Sequence, residues 1–177
     1  KAVTIVNGYK LGNPLEPETT MGPMANVRFA NVVRNQIINA IKDGATAHID
    51  PTSFPQDKDA YLMPQILTNV THDMDIMCEE SFGPVVGIMS VKDDAEAVML
   101  MNDSKFGLTA SIWTRDQERA EKIADQIETG TVFMNRADYL DPGLCWTGCK
   151  DTGRGGGLSM IGYHNLTRPK SYHLKKL

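Results

Sequence analysis

Residues 85–134 read VVGIMSVKDDAEAVMLMNDSKFGLTASIWTRDQERAEKIADQIETGTVFM, a succession of short apolar runs and longer amphipathic segments. The apolar runs have the length of buried strands and occupy residues 85–91, 108–113 and 131–134. Asp93 and Asp116 stand where helix N-caps belong, and Glu96 follows Asp93 at the spacing of a capping box. This alternation predicts βαβ units. We therefore expect an α/β fold with three layers, a mostly parallel sheet and helices on both faces.

The N-terminal half predicts one further helix and two weaker strands. Asn26 is a candidate N-cap, and Gly44 lies where a helix C-cap belongs. Apolar residues recur every four positions between them, at Phe29, Val33, Ile37 and Ile41. Residues 45–50 and 61–70 are candidate strands, and Pro64 makes the second an edge or irregular strand. Loops are predicted at residues 13–20 and 51–59.

The C-terminal stretch has a different character. Residues 143–157 are rich in glycine and predict irregular structure. The glycines at 153–157 indicate a flexible turn and not a phosphate-binding loop, because no strand-then-helix context and no following Lys-Ser/Thr pair accompanies them. Residues 167–174 are a possible terminal strand.

Composition narrows the class of protein. The chain has 177 residues, which favours one domain, and no apolar run approaches the about 20 residues of a membrane-spanning helix. The net charge of −4 disfavours nucleic acid as the main partner. We therefore expect neither nucleic acid nor a membrane as a partner. The chain begins with Lys1 and not with Met, so we interpret its start as a boundary that carries no targeting information.

The three cysteines, Cys78, Cys145 and Cys149, do not predict a disulfide framework. A small odd number fits a reducing compartment, and we expect the cytoplasm. Cys145 and Cys149, taken with His164 and His173, lack zinc-ligand spacing, so no metal site is predicted. The ten methionines are interpreted as core filling.

Several segments together resemble the NAD(P)-dependent aldehyde dehydrogenase superfamily, specifically the C-terminal part of its catalytic domain. The segment EESFGPV at residues 79–85 is similar to the family's EE-x-FGPV motif. NDSKFGLTAS at 102–111 and GTVFMN at 130–135 match two further motifs. Upstream, GNPLEP, MGP and the 61–70 stretch follow the family's order. The resemblance covers about residues 11–174, and six segments in one order make chance a poor explanation.

The resemblance implies a cofactor role for two residues. Glu80 would accept hydrogen bonds from the nicotinamide-ribose hydroxyls of NAD or NADP, a task that suits a carboxylate. Phe82 would lie against the nicotinamide ring, limit its rotation and exclude water. Considered without the motif, Glu80 would be interpreted as a surface glutamate and Phe82 as an ordinary core residue.

The resemblance also implies a substrate role for Asn135 and Trp146. Asn135 begins the stretch that bounds the substrate funnel in the family, and residues 136–146 would line the aldehyde entrance. Cys145, Trp146 and Thr147 replace the family's usual proline, phenylalanine and glycine. The larger indole favours an apolar or aromatic aldehyde, so these departures bear on the substrate class and not on the family.

The family's chemistry needs groups that we expect upstream of this chain. A cysteine thiolate forms the thiohemiacetal and then the thioester, while a carboxylate base activates water and an asparagine stabilises the oxyanion. Only eleven residues precede Gly12, so these groups and the N-terminal cofactor-binding domain are expected to be absent here. Neither Cys145 nor Cys149 adjoins a base in sequence, so neither is expected to substitute. The chain alone is predicted to be inactive.

Three hypotheses follow for the function. The first is a fragment of an enzyme that oxidises an aldehyde to its acid with NAD or NADP. The second is a noncatalytic oligomerisation or ligand-binding module, and the third is a CoA-acylating relative. The resemblance also predicts a homodimer or homotetramer. Strands at residues 131–135 and 167–174 are expected to pair with strands of a neighbouring subunit or of missing parts of the same subunit.

Overall fold

The computed structural model describes residues 1–50, 60–137 and 139–177. These residues form two compact units, Lys1–Ser90 and Val91–Leu177, and each is described by itself. The loop predicted at residues 51–59 lies outside the described residues.

The first unit combines a three-stranded sheet with helices. Its described elements are α1 (Ala2–Val6), α2 (Val27–Lys42), β1 (Thr46–Ala47), β2 (Gln65–Thr68), α3 (Asp75–Cys78) and β3 (Val85–Ile88). The strand order is β1-β2-β3, with β1 antiparallel to β2 and β2 parallel to β3. A short helix that was not predicted, α3, lies between the parallel strands β2 and β3. The buried core comprises Ala40, Ala45, Leu67, Val70, Met74 and Ile76.

Helix α2 begins and ends where the sequence predicted. The side chain of Asn26 accepts a hydrogen bond from the backbone N–H of Phe29, and Gly44 adopts a φ of +108° just beyond the helix. The predicted apolar stripe was wrong in part, because Phe29 and Ile41 are 48% and 44% exposed. A four-residue repeat drifts by about 40° per step around a helix of 3.6 residues per turn, so its ends rotate away from the core. The buried positions are Ala30, Val33, Gln36 and Ala40.

Strand β2 lies in the centre of the three-stranded sheet, whereas the sequence predicted an edge or irregular strand. Pro64 lies immediately before the strand, so it removes no hydrogen bond from the ladder. The backbone N–H of Gln65 donates to the carbonyl of Pro84 at 2.9 Å, which starts the pairing with β3. Strand β3 ends at Ile88, and Val86 and Ile88 are half exposed, whereas a fully buried strand was predicted.

The second unit contains short strands and three described helices. Its elements are α4 (Asp94–Asn102), β4 (Phe106–Gly107), β5 (Thr109–Ile112), α5 (Gln117–Ala124), β6 (Thr131–Met134), β7 (Trp146–Thr147), β8 (Cys149–Lys150), β9 (Gly156–Gly157) and α6 (Ser159–Asn165). Strands β5 and β6 pair in parallel around α5, which confirms the βαβ unit predicted at residues 108–134. The two-residue pairs β4–β8 and β7–β9 are antiparallel.

Both predicted aspartate caps of this unit are confirmed. The carboxylate of Asp93 accepts from the backbone N–H of Glu96 at 2.8 Å, and that of Asp116 accepts from Arg119 at 3.0 Å. The carboxylate of Glu96 accepts in return from the N–H of Lys92 at 2.6 Å, one residue before the position used in a standard capping box.

The C-terminal stretch departs from its predictions. Residues 143–157, predicted to be irregular, contain three of the short strands, and helix α6 follows them. Strands of two residues are too short to show an alternation of apolar and polar residues in the sequence. Gly162 lies inside α6 and lowers the helix propensity of that segment. Residues 167–174 contain no strand in this single chain, and the strand predicted there for pairing with a neighbouring subunit stays a prediction. A strand needs a partner ladder, and residues 167–174 pair with no described strand of this chain.

The helices and parallel strand pairs confirm the predicted α/β class. Within the described ranges, no helix is both long enough and apolar enough to cross a membrane.

Candidate active site

The segment at residues 79–83, between α3 and β3, carries both residues predicted to bind the cofactor. Glu80 is exposed, and the ring of Phe82 is 81% exposed. Two short backbone bonds shape the segment: Gly83 N–H donates to the Ser81 carbonyl and Val85 N–H to the Gly83 carbonyl, each at 2.8 Å. The sequence therefore places a carboxylate and a phenyl ring on one bend, as predicted.

Helix α2 contacts the 79–83 segment at two positions. The hydroxyl of Ser81 donates a 2.8 Å hydrogen bond to the side-chain oxygen of Gln36, which is 7% exposed. The backbone of Gly83 packs so closely on Val33 that a Cβ at Gly83 would lie 3.0 Å from Val33 Cγ2. Sequence reasoning missed Gln36, although a glutamine between Val33 and Ala40 on a buried helix face was an available signal.

An open pocket of about 560 Å³ lies beside Phe82. Its lining residues are Met24, Ala25, Phe29, Ser81, Phe82 and Gly83. Phe29 is 48% exposed, so two aromatic rings stand in the wall of one pocket. The pocket can contact a flat apolar ring, and the exposed Glu80 lies one residue before Ser81 of the pocket wall.

Asn135, predicted to bound the substrate funnel, ends strand β6 with a φ of +55°. Its side-chain oxygen accepts from the N–H of Thr114 at 3.0 Å, and its side-chain nitrogen donates to the Thr114 carbonyl at 2.7 Å. Its own N–H donates to the carbonyl of Ile112 at 2.9 Å. Asn135 therefore fixes the start of the following loop, and its contact with substrate stays a prediction.

The loop that follows Asn135 is shaped by Arg136. The hydroxyl of Ser111 donates to the Arg136 carbonyl at 2.5 Å. The guanidinium of Arg136 lies 3.7 Å from the centre of the Tyr139 ring, a cation–π contact. The start of the loop is therefore tied to β5, and an aromatic ring and a cation are exposed on it.

Trp146 lies in β7 and is half buried. It pairs with Gly157 of β9, and the hydroxyl of Thr147 donates to the carbonyl of Gly155 at 2.6 Å. Trp146 lines a pocket of about 520 Å³ with Leu108 and the glycine-rich 153–157 stretch. The second unit thus places the predicted substrate residue in the wall of a pocket.

The three cysteines are not in disulfides and are only partly buried. The thiol of Cys78 donates to the carbonyl of Met74 at 3.4 Å within α3. Cys145 packs on Gly156, where a Cβ would lie 2.6 Å from its sulfur. Among the described side chains, no group of three or more His, Cys, Asp or Glu residues could hold a metal ion.

Comparison with known proteins relates the whole chain to one family. Residues 1–172 match the model of the aldehyde dehydrogenase family. The NADP⁺-dependent succinate-semialdehyde dehydrogenase of Deinococcus radiodurans is 35% identical over 159 residues, which are 90% of this chain and 33% of that protein.

Solved structures give the same result. An aldehyde dehydrogenase from Bacillus cereus, the G224D mutant, superposes with a TM-score of 0.86 at 32% identity over 94% of this chain and 34% of that one. Betaine aldehyde dehydrogenase from Staphylococcus aureus, in complex with NAD⁺, superposes with a TM-score of 0.82 at 29% identity over 92% of this chain and 33% of that one. The chain spans about a third of the length of these relatives. It belongs to the aldehyde dehydrogenase family.

Proposed function

We propose that this chain supplies part of the catalytic domain of an enzyme that oxidises an aldehyde to its carboxylic acid with NAD or NADP. The observation that carries the proposal is the bend at residues 79–83, where Glu80 and Phe82 project from one short segment in a chain of this family. The residues fit a nicotinamide nucleotide, because its ribose offers hydroxyl donors and its ring offers a flat face.

Glu80 binds the ribose in this proposal. An ionised carboxylate has two oxygens and accepts hydrogen bonds from both hydroxyls of a vicinal diol. The Glu80 side chain is exposed, and the described residues give it neither a hydrogen bond nor an ion pair, so its oxygens are available to a ligand.

Phe82 orients the ring. The phenyl ring of Phe82 is 81% exposed to water. Covering this apolar surface with a flat ligand ring is favourable and would contribute to binding. When bound, the oxidised nicotinamide accepts a hydride. Phe82 would contact that ring on one side, restrict its rotation and exclude water from it.

The substrate side of the proposal rests on Asn135 and Trp146. Asn135 fixes the start of the loop that bounds the funnel, and Trp146 contributes an indole to a pocket wall. A large apolar surface there favours an apolar or aromatic aldehyde. In this proposal other parts of the polypeptide supply the cysteine nucleophile and the general base, so we expect the 177-residue chain alone to be inactive.

We also propose a cytoplasmic homodimer or homotetramer. Helix α6 and the residue after it expose large apolar side chains, including Met160 at 73% and Leu166 at 84%. Exposed apolar surface of this kind is typical of protein interfaces. Sedimentation velocity on the full-length polypeptide should give a dimer or larger, whereas a monomer at micromolar concentration would contradict assembly.

The experiment that tests the function uses the full-length polypeptide encoded by the gene. We expect aldehyde-dependent reduction of NAD⁺ or NADP⁺ by that polypeptide and none by the purified 177-residue chain. Steady turnover by the chain alone would contradict the proposal. A polypeptide with no cysteine nucleophile and no turnover would favour the noncatalytic module, and a strict requirement for CoA would favour the acylating relative.

A further inference from the structure

We propose that Gln36 is a positioning residue for the cofactor, acting through the hydroxyl of Ser81. This inference rests on the proposed function. Gln36 lies outside the EESFGPV motif, in helix α2, and is 45 residues upstream of Ser81.

The first step is the burial of a polar side chain. Gln36 is 7% exposed and shares one face of α2 with Ala30, Val33 and Ala40. Burying an amide among apolar neighbours costs free energy unless it is hydrogen-bonded. Ser81 supplies such a bond, since its hydroxyl donates to Gln36 Oε1 at 2.8 Å. An apolar residue at position 36 would suit the buried face of α2 but would leave the Ser81 hydroxyl without this acceptor.

The second step is the place of Ser81 in the chain. It lies between Glu80 and Phe82, so the position of its side chain constrains both neighbours. Its hydroxyl bonds inward to Gln36 on α2, whereas the side chains of Glu80 and Phe82 on either side of it are exposed. The Ser81 anchor therefore holds both neighbours with their side chains directed outward.

The third step is a second anchor on the same helix. Gly83 packs on Val33, where a Cβ would approach Val33 Cγ2 to 3.0 Å. Val33 and Gln36 are three residues apart, so they lie on one face of α2. The segment is thus fixed on both sides of Phe82, by a hydrogen bond at Ser81 and by close packing at Gly83. The packing of Gly83 on Val33 fixes how closely the segment approaches α2. The hydrogen bond of Ser81 to Gln36 fixes the outward orientation of the Glu80 and Phe82 side chains.

The test is steady-state kinetics of the full-length polypeptide with four variants. Ser81→Ala removes the hydroxyl, Ser81→Thr keeps it, and Gln36→Met removes the acceptor at similar size. We expect Ser81→Ala and Gln36→Met each to raise KM for NAD(P)⁺ about threefold to tenfold, as for the loss of one hydrogen bond. Ser81→Thr should restore most of the affinity. The Ser81→Ala/Gln36→Met double variant should be no worse than either single variant.

A matched control separates positioning from general stability. Thr68 is half-buried in the same unit, and its hydroxyl lies 2.7 Å from His48 Nε2. Thr68→Val removes one side-chain hydrogen bond remote from the 79–83 segment and should leave KM for NAD(P)⁺ unchanged. KM for the aldehyde should not change in any variant.

The outcomes distinguish this inference from the proposed function. If Glu80→Gln raises KM for NAD(P)⁺ while Ser81→Ala leaves it within twofold of the original, the positioning role is wrong and the function stands. Additive effects in the double variant would also overturn the inference. If neither Glu80→Gln nor Ser81→Ala changes KM for NAD(P)⁺, the positioning role and the proposed cofactor site are both wrong. Because Gln36 is buried and its variant could misfold, the Ser81→Ala and Ser81→Thr pair decides the matter alone.

Discussion

The side-chain amide of Asn135 makes two hydrogen bonds to the backbone of Thr114, at 3.0 and 2.7 Å. It thereby extends the parallel pairing of β5 and β6 by a side chain after the backbone has left the strand. The φ of +55° at Asn135 is a conformation that asparagine tolerates better than most residues. Its role in this structure is therefore to end β6 and to start the loop.

Asn135→Ala should destabilise the second unit by about 2 kcal/mol, because two hydrogen bonds are lost and alanine disfavours a positive φ. Urea unfolding of the 177-residue chain measures this change. Asn35→Ala, on the exposed face of α2, is the control and should change the free energy of unfolding by less than about 0.5 kcal/mol. Equal effects of the two variants would contradict the role of Asn135.

Within the second unit, Lys150 of β8 contacts the end of α4. Its ammonium donates to the carbonyls of Asn102 and Ser104 at 2.6 and 3.0 Å and forms an ion pair with Glu128 at 2.8 Å. Lys150→Met should cost about 2–3 kcal/mol by urea unfolding, since charge-assisted bonds to helix-terminal carbonyls are lost.

Glu128→Gln is the matched variant for Lys150→Met. The Glu128 side chain is 62% exposed, so water screens the ion pair and its loss should cost less than about 1 kcal/mol. If Glu128→Gln costs as much as Lys150→Met, the ion pair and not the carbonyl contacts dominates.

Gly44→Ala should destabilise the end of α2 by about 1–2 kcal/mol, because a Cβ is strained at positive φ. No atom would lie within 4 Å of the new Cβ, so the effect measures backbone strain alone. Gly157→Ala is the control, since it also meets open space and lacks a positive φ, and should be near neutral. Thermal unfolding of both variants tests this, and an unchanged Tm for Gly44→Ala would contradict it.

The side chain of Arg119 should control the titration of Asp94. Its hydrogen bonds at 2.6 and 2.5 Å lower the pKa of Asp94 below the ordinary value; desolvation opposes this shift, and the charge of Arg119 adds to it. A lowered pKa contributes stability above the unfolded-state pKa of about 3.9, and this is lost as pH falls through the folded-state pKa. Arg119→Gln should raise the pKa of Asp94 in a carboxyl NMR titration. Arg115→Gln should leave it unchanged, and an unshifted Asp94 in Arg119→Gln would contradict the account.

Local patterns predicted the elements whose causes lie within a few residues. Asn26, Asp93 and Asp116 cap their helices through N–H groups three residues ahead, a spacing that is visible in the sequence. The candidate site was found only in part. Glu80 and Phe82 were identified from a resemblance, because an exposed glutamate and a phenylalanine carry no signal by themselves.

The rest depends on contacts between distant residues. Ser81 meets Gln36 across 45 residues, and Lys150 meets the Asn102 carbonyl across 48. No periodicity connects such positions. The β7–β9 pairing of two residues each is equally invisible, because two residues cannot establish an alternation. Residues 167–174 form no strand in this single chain for a related reason, since extended residues become a strand only where another strand pairs with them.

The most direct test replaces one of two adjacent glutamates in the full-length polypeptide. Glu80→Gln removes the charge proposed to bind the ribose hydroxyls, and Glu79→Gln makes the same chemical change one residue earlier. We predict that Glu80→Gln raises KM for NAD(P)⁺ by about tenfold or more, as for charge-assisted hydrogen bonds, while Glu79→Gln stays within twofold of the original. An unchanged KM in Glu80→Gln, or equal increases in both variants, would contradict the cofactor role of this segment.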